Sequence, residues 1–119
     1  MPRRILVVDD EPSIAETVGW VLRDEGYSVR FARNGREALD QVRSEPPDLV
    51  ITDIMMPVMD GWSLCRALRD DPATSAIPVV ITTALPHLAA RGGVPFSAYL
   101  AKPFDIDTLA ETIARALEG

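Results

Sequence analysis

Asp53 closes a short β-branched run, Leu49-Val50-Ile51-Thr52, and is followed by Met56-Pro57 and then by Asp60-Gly61. Such a run reads as a strand buried on both faces, as in a parallel sheet. The carboxylate then lands at the carboxyl edge, where open α/β folds place their ligands. Pro57 stops the strand, and Asp60-Gly61 supplies turn chemistry before a helical pattern begins at Trp62. From this stretch alone, an aspartate that merely caps a turn fits as well as a positioned acid. Three other segments end in a comparable way. Ile5 to Val8 runs into Asp9-Asp10-Glu11, Val79 to Thr82 into Thr83-Ala84, and Tyr99 to Ala101 into Lys102-Pro103. In parallel strands these ends share one rim, so Asp9, Asp10, Asp53, Thr83 and Lys102 would meet although they span most of the chain.

Three carboxylates in one crevice repel one another. A pair about 4 Å apart at an effective dielectric near 20 costs roughly 4 kcal/mol. Either one takes a proton or a cation compensates. An all-oxygen donor set with positions left for water suits Mg2+, which binds through one or two carboxylates plus phosphate. Lys102 adds a mobile point charge and Thr83 a hydroxyl donor, both suited to phosphoryl oxygens. A carboxylate nucleophile beside such groups makes a phosphoryl-acceptor site, in which the protein supplies positioning and charge.

The elements that must position these groups alternate along the chain. After the first strand, Pro12 suits a first helical turn, and Ile14, Val18, Val21 and Leu22 form one helical face. Gly26 closes that helix. Ser28 to Ala32 makes a second strand, Asn34-Gly35 starts a second helix with the stripe Ala38, Leu39 and Val42, and Pro46-Pro47 ends it. A third helix from Trp62 to Asp70 has Leu64, Cys65 and Leu68 inward, and 71–78 is a loop by its punctuation. After the fourth strand, the piece from Pro86 to Ser97 carries Gly92-Gly93 and Pro95, so any helix there is brief or frayed. Asp105 can cap a last helix with the stripe Leu109, Ile113, Ala116 and Leu117. Five strand–helix units imply a parallel sheet with helices on both faces.

The chain has 119 residues, of which 47% are hydrophobic and 25% charged, which suits one compact domain over residues 1–119. A net charge of −6 argues against direct contact with nucleic acid, because phosphate binding needs clustered lysine and arginine. A single cysteine, Cys65, excludes an internal disulfide and fits a reducing compartment. The N-terminal apolar run is cut after four residues by acids, and no segment is long enough to cross a membrane. A cytoplasmic location is expected.

The residues Val7-Val8-Asp9-Asp10-Glu11, Asp53-x-x-Met56-Pro57-x-Met59-Asp60-Gly61, Thr83-Ala84 and Lys102-Pro103-Phe104, in that order, resemble the receiver domain of two-component response regulators over essentially the whole chain. The resemblance implies a flavodoxin-like (βα)5 three-layer sandwich with sheet order 2-1-3-4-5. It makes Asp53 the residue phosphorylated from a sensor histidine kinase or a phosphotransfer protein. Asp10 and Asp53, with the backbone carbonyl of Met55, would bind Mg2+, and Asp9 would act mainly through a metal-bound water. Thr83 and Lys102 would hold the phosphoryl oxygens, and Thr83 and Tyr99 would move together as the switch. The surface around the fourth helix, fifth strand and fifth helix would then change for a downstream protein or output domain. Such a chain catalyses only its own phosphorylation and dephosphorylation and is not otherwise an enzyme.

Two departures from the family pattern stand out. The segment between Ala84 and Tyr99 is short and carries Gly92-Gly93-Val94-Pro95-Phe96-Ser97, which predicts a short or irregular fourth helix across 85–98 and no standard dimer through that face. A monomer or weak dimer is expected. Met55 and Leu85 take the two positions that flank the phosphoryl group in this family; both are apolar and cannot orient an attacking water.

Other residues read more plainly. His87 is expected as an exposed loop residue, Cys65 as core, the methionines 55, 56 and 59 as loop packing, and Asp70-Asp71 as a solvated helix end. Trp20 lies opposite the first helix's apolar face, either as a kinase-docking contact or packed under a loop. The rival functions are a pseudo-receiver used only for interaction and a metal-dependent phosphatase with an aspartate nucleophile. The second would call for an Asp-x-Asp motif at the first strand, where this chain has Asp9-Asp10. A nucleotide or flavin binder lacks its Gly-rich phosphate loop here.

Overall fold

An apolar run can bury successive side chains on opposite faces only inside a sheet covered on both sides. The computed structural model, which describes residues 2–85 and 93–118, has that sheet. Its strands are β1 (Arg4–Val8), β2 (Ser28–Ala32), β3 (Leu49–Asp53), β4 (Val79–Thr83) and β5 (Ala98–Ala101). All neighbours pair in parallel, in the order β2-β1-β3-β4-β5. Among the described residues the helices are α1 (Pro12–Asp24), α2 (Gly35–Ser44), α3 (Gly61–Asp70) and α4 (Ile106–Glu118), the last being the fifth helix of the sequence pattern. Of the stretch 85–98, where a short or irregular fourth helix is expected, residues 86–92, with His87, lie outside the described residues.

Alternation sorts the strand residues into two cores. Leu6, Val8, Val50, Val79 and Ile81 pack with α2 and α3. Ile5, Val7, Leu49, Ile51, Val80 and Leu100 pack with α1 and α4. The helix ends follow their caps. Tyr27 N–H donates to Leu22 O and Gly26 N–H to Arg23 O, a pairing that ends α1 with Gly26 at φ 95°. Asn34, Asp60 and Asp105 side chains accept from the backbone N–H of Glu37, Ser63 and Thr108 at the starts of α2, α3 and α4.

The inner face of α1 differs from the expected stripe. Ala15, Val18, Gly19 and Leu22 are buried, while Ile14 and Val21 are half-buried. The face rotates because Phe31 of β2 packs against Gly19, where a Cβ would sit 2.5 Å from the ring. Trp20 is 76% exposed, so it does not pack under a loop. Residues 93–97 carry no regular structure but are anchored on α3. Val94 is buried in the core, Phe96 packs on Trp62 with ring centroids 5.7 Å apart, and Pro95 O accepts from Cys65 Sγ and Arg69 Nε.

The loop after β3 contains a strained residue. Val58 has φ 68°, and Met59 N–H donates to Pro57 O at 2.7 Å, which makes Val58 the centre of a γ-turn. A β-branched residue there is held against its own sterics. Its side chain is 82% exposed and so returns little burial. Val58→Gly is expected to raise stability by about 1 kcal/mol, the released strain outweighing the added freedom of the unfolded chain. Urea unfolding measures this, and a less stable variant would contradict it.

Candidate functional site

Period-2 alternation carries the two-core pattern past the strand ends. Val7, Ile51 and Leu100 all belong to the α1–α4 layer. Two residues further on, Asp9, Asp53 and Lys102 therefore emerge on that same face. Val8 pairs with Thr52, so Asp9 and Asp53 are side by side at the ends of adjacent strands. Lys102 N–H donates to Thr83 O at 2.7 Å, extending the β4–β5 ladder by one residue and fixing where the lysine starts.

Lys102 Nζ reaches Asp9 Oδ2 and Asp53 Oδ2, both at 3.1 Å. All three side chains are nearly buried, at 14%, 6% and 12% exposure. Burial alone would lower the Lys102 pKa; hydrogen bonds and charge from Asp9 and Asp53 outweigh it and hold the ammonium above its ordinary value. Asp9 Oδ1 also accepts from Glu11 N–H at 2.9 Å, so both its oxygens are engaged. Among the described residues, Asp53 Oδ1 has only a long contact, 3.4 Å, from Met55 N–H. Asp10 is exposed at the rim.

The donor set fits a hard divalent ion. Asp9, Asp10 and Asp53 each offer an oxygen within 4.8 Å of the others. Carboxylate oxygens grouped this closely would hold Mg2+ through one or two of them, with water or phosphate completing its shell. A shallow pocket lined by Asp10, Met55, Met56, Pro57 and Asp60 opens beside these oxygens.

Thr83 sits apart from this cluster in its contacts. Its hydroxyl donates to Leu85 O at 3.2 Å and accepts from Leu85 N–H at 2.9 Å. Thr83 and Tyr99 lie on the α2–α3 face of adjacent strands, with Tyr99 47% exposed. Met55 and Leu85 are exposed at 61% and 43% at the ends of β3 and β4. The expected loop packing of the methionines holds for Met56 and Met59, which pack on the core, but not for Met55. Cys65 is core, its thiol pKa raised by burial against the opposing charges of Arg69 and Arg66. Asp71 caps the turn after α3 by accepting from Ala73 N–H. The backbone partners of Asp9 and Thr83 carry no side-chain signature, so sequence alone could not name them.

A parallel sheet of this order, with an acidic triad and a lysine at its carboxyl rim, is the architecture of a signalling receiver domain. The chain belongs to the response regulator receiver domain family, which it matches over residues 5–114. Phosphorylation and Mg2+ binding are typical of that family, and the family acts in two-component systems. Response regulator MprA of Mycolicibacterium vanbaalenii is 43% identical over 112 residues, covering 92% of this chain and 48% of its own length. The chain thus spans about half the length of that relative. The chemotaxis response regulator CheY4 of Vibrio cholerae superposes with a TM-score of 0.91 at 34% identity, covering 98% of this chain and 99% of its own. A receiver domain of a sensor histidine kinase from Pseudomonas aeruginosa, described with a magnesium ion coordinated in its active-site cleft, gives 0.92 at 27% identity, with both chains fully covered. Among the described residues no helix is long and apolar enough to cross a membrane.

Proposed function

We propose that residues 1–119 form one receiver domain that takes a phosphoryl group onto Asp53 from a histidine kinase or phosphotransfer protein and passes the signal through Thr83 and Tyr99. What carries this is the environment of Asp53: one oxygen pinned by Lys102, the other held only weakly, and two further carboxylates alongside. A carboxylate oxygen of Asp53 bonds to phosphorus as the donor's P–N bond breaks and the imidazole leaves. Lys102 holds charge on the phosphoryl oxygens as it accumulates. Mg2+, held by Asp10, Asp53 and the Met55 carbonyl with Asp9 acting through a water, would supply the remaining positive charge. Engagement of both Asp9 oxygens favours that indirect role.

The switch follows from Thr83. Its hydroxyl exchanges the Leu85 backbone for a phosphoryl oxygen, and Tyr99, on the same face, turns into the space released. Exposed Trp20 and Ile106, at 76% and 62%, offer an apolar contact on the α1–α4 side for the phosphodonor. The domain's partners are proteins and not nucleic acid, in keeping with its net charge of −6. It works in the cytoplasm as a monomer or weak dimer, and its turnover is confined to its own phosphorylation and dephosphorylation.

Incubation with Mg2+ and a small acyl phosphate tests this. Intact mass is expected to show one phosphoryl adduct on the wild type and none on Asp53→Asn; an adduct on the variant, or none on either, would refute the assignment. The adduct is also expected to persist well beyond seconds, since the apolar Met55 and Leu85 side chains cannot orient a water toward phosphorus. Loss of the adduct within seconds of donor removal would contradict this.

A further inference from the structure

At the opposite end of the sheet from Asp53, a cavity of about 690 Å³ opens beneath the amino ends of β4 and β5 and the carboxyl end of α4. Its size falls in the range of small-molecule sites, about 300–1,000 Å³. Among the described residues, three arginines, Arg3, Arg69 and Arg115, line it against one carboxylate, Asp48, in a chain whose net charge is −6. Asp48 is already spoken for, accepting from Arg4 N–H at 2.7 Å. Arg69 donates to the carbonyls of Pro95, Ser75 and Ile77, which shapes the wall, and among the described residues no carboxylate pairs with it. Arg115 pairs with Glu111, both well exposed, a contact easily exchanged. The carboxyl end of α4 would repel an anion, and Arg115 in its last turn offsets that. Ala76, Pro78 and Leu117 add apolar surface, and Tyr99 a flat ring.

We propose that this cavity binds a small organic phosphate of the nucleoside monophosphate class, with the phosphate between Arg3 and Arg115 and the ring against Tyr99. Guanidinium forks match phosphate oxygens bidentately, and an aromatic face takes a planar base. Because Tyr99 turns away when Thr83 engages the phosphoryl group, occupancy favours the unphosphorylated state. This coupling rests on the switch proposed above; the binding itself does not.

The test titrates 5′-AMP, adenosine and inorganic phosphate into the wild type and into Arg3→Gln/Arg115→Gln by calorimetry. Both arginines are exposed surface residues, and a matching melting curve confirms that the variant folds. AMP is expected to bind at least about tenfold more tightly than either fragment, and the double variant to lose about tenfold or more in affinity. No AMP binding, or binding that the variant leaves unchanged, overturns the site. Either fragment binding as well as AMP overturns the two-part recognition. Repeating the titration with Mg2+ and BeF3− bound at Asp53 is expected to weaken AMP at least about fivefold, by linkage. If acyl phosphate labels Asp53 but AMP affinity is unmoved, the coupling is wrong. If Asp53 never labels while AMP still binds, the receiver chemistry fails and the cavity stands.

Discussion

Lys102→Met is expected to lower the stability of the fold by about 3–5 kcal/mol and to abolish labelling of Asp53 by acyl phosphate. The side chain joins two nearly buried carboxylates at 3.1 Å each. Removing one partner of such a set is far more damaging than its net worth suggests, because the uncompensated charges stay behind. Oxygens of Asp9, Asp10 and Asp53 lie within 4.8 Å of one another, and one such pair repels by roughly 3.5 kcal/mol at an effective dielectric of 20. Added Mg2+ is therefore expected to recover more stability in the variant than in the wild type. Urea unfolding with and without Mg2+ reads both effects; a variant as stable as the wild type without metal would show that Lys102 does not neutralise the crevice.

The same lysine sets a pH dependence. Its pKa in the folded protein lies above the ordinary value of 10.5. A group raised in this way contributes stability that is fully present below its unfolded pKa and lost as pH rises through the folded one. The wild type should therefore shed the Lys102 contribution only above about pH 10.5, and the wild-type and Lys102→Met stability curves should converge there. Parallel curves through that range would mean that Lys102 ionisation is not linked to folding.

Much of this was legible in the residues. Ile5 to Val8, Leu49 to Thr52 and Val79 to Thr82 are uninterrupted apolar runs, and only a doubly covered parallel strand uses every position of such a run. Once the strands are parallel, placing Asp9, Asp53 and Lys102 at one rim is a matter of counting in twos. Finer features were closed to sequence. The buried face of α1 shifts to Ala15 and Gly19 because Phe31, sixteen residues away or fewer in sequence, happens to need that gap. The hydroxyl of Thr83 turns to Leu85 through main-chain groups that every residue possesses. The three carbonyls that hold Arg69 are likewise invisible in side-chain types. Backbone partners and close approaches show only in the folded chain; the burial of whole strands shows in the residues.

Gly61 is a close approach that the turn signal only hinted at. Gly61→Ala is expected to cost about 3 kcal/mol and to reduce the rate of Asp53 labelling about a hundredfold. A Cβ built there would lie 2.2 Å from Asp53 O, 2.9 Å from Ile54 Cα and 3.0 Å from Asp53 C. These are backbone atoms at the end of the strand that carries Asp53, so no side-chain rotation relieves the clash. Gly61 N–H also donates to Ile54 O at 2.8 Å, which docks the start of α3 against that strand end. Either α3 lifts away or Asp53 moves, and a displacement of about 1 Å at a reacting group is enough to lose two orders of magnitude. Gly26→Ala is the control: φ there is +95° but nothing lies within 4 Å, so the penalty should be conformational only, about 1 kcal/mol, with labelling unchanged. Equal damage from the two substitutions would mean that α3 is not packed against the strand carrying Asp53 as closely as the geometry requires.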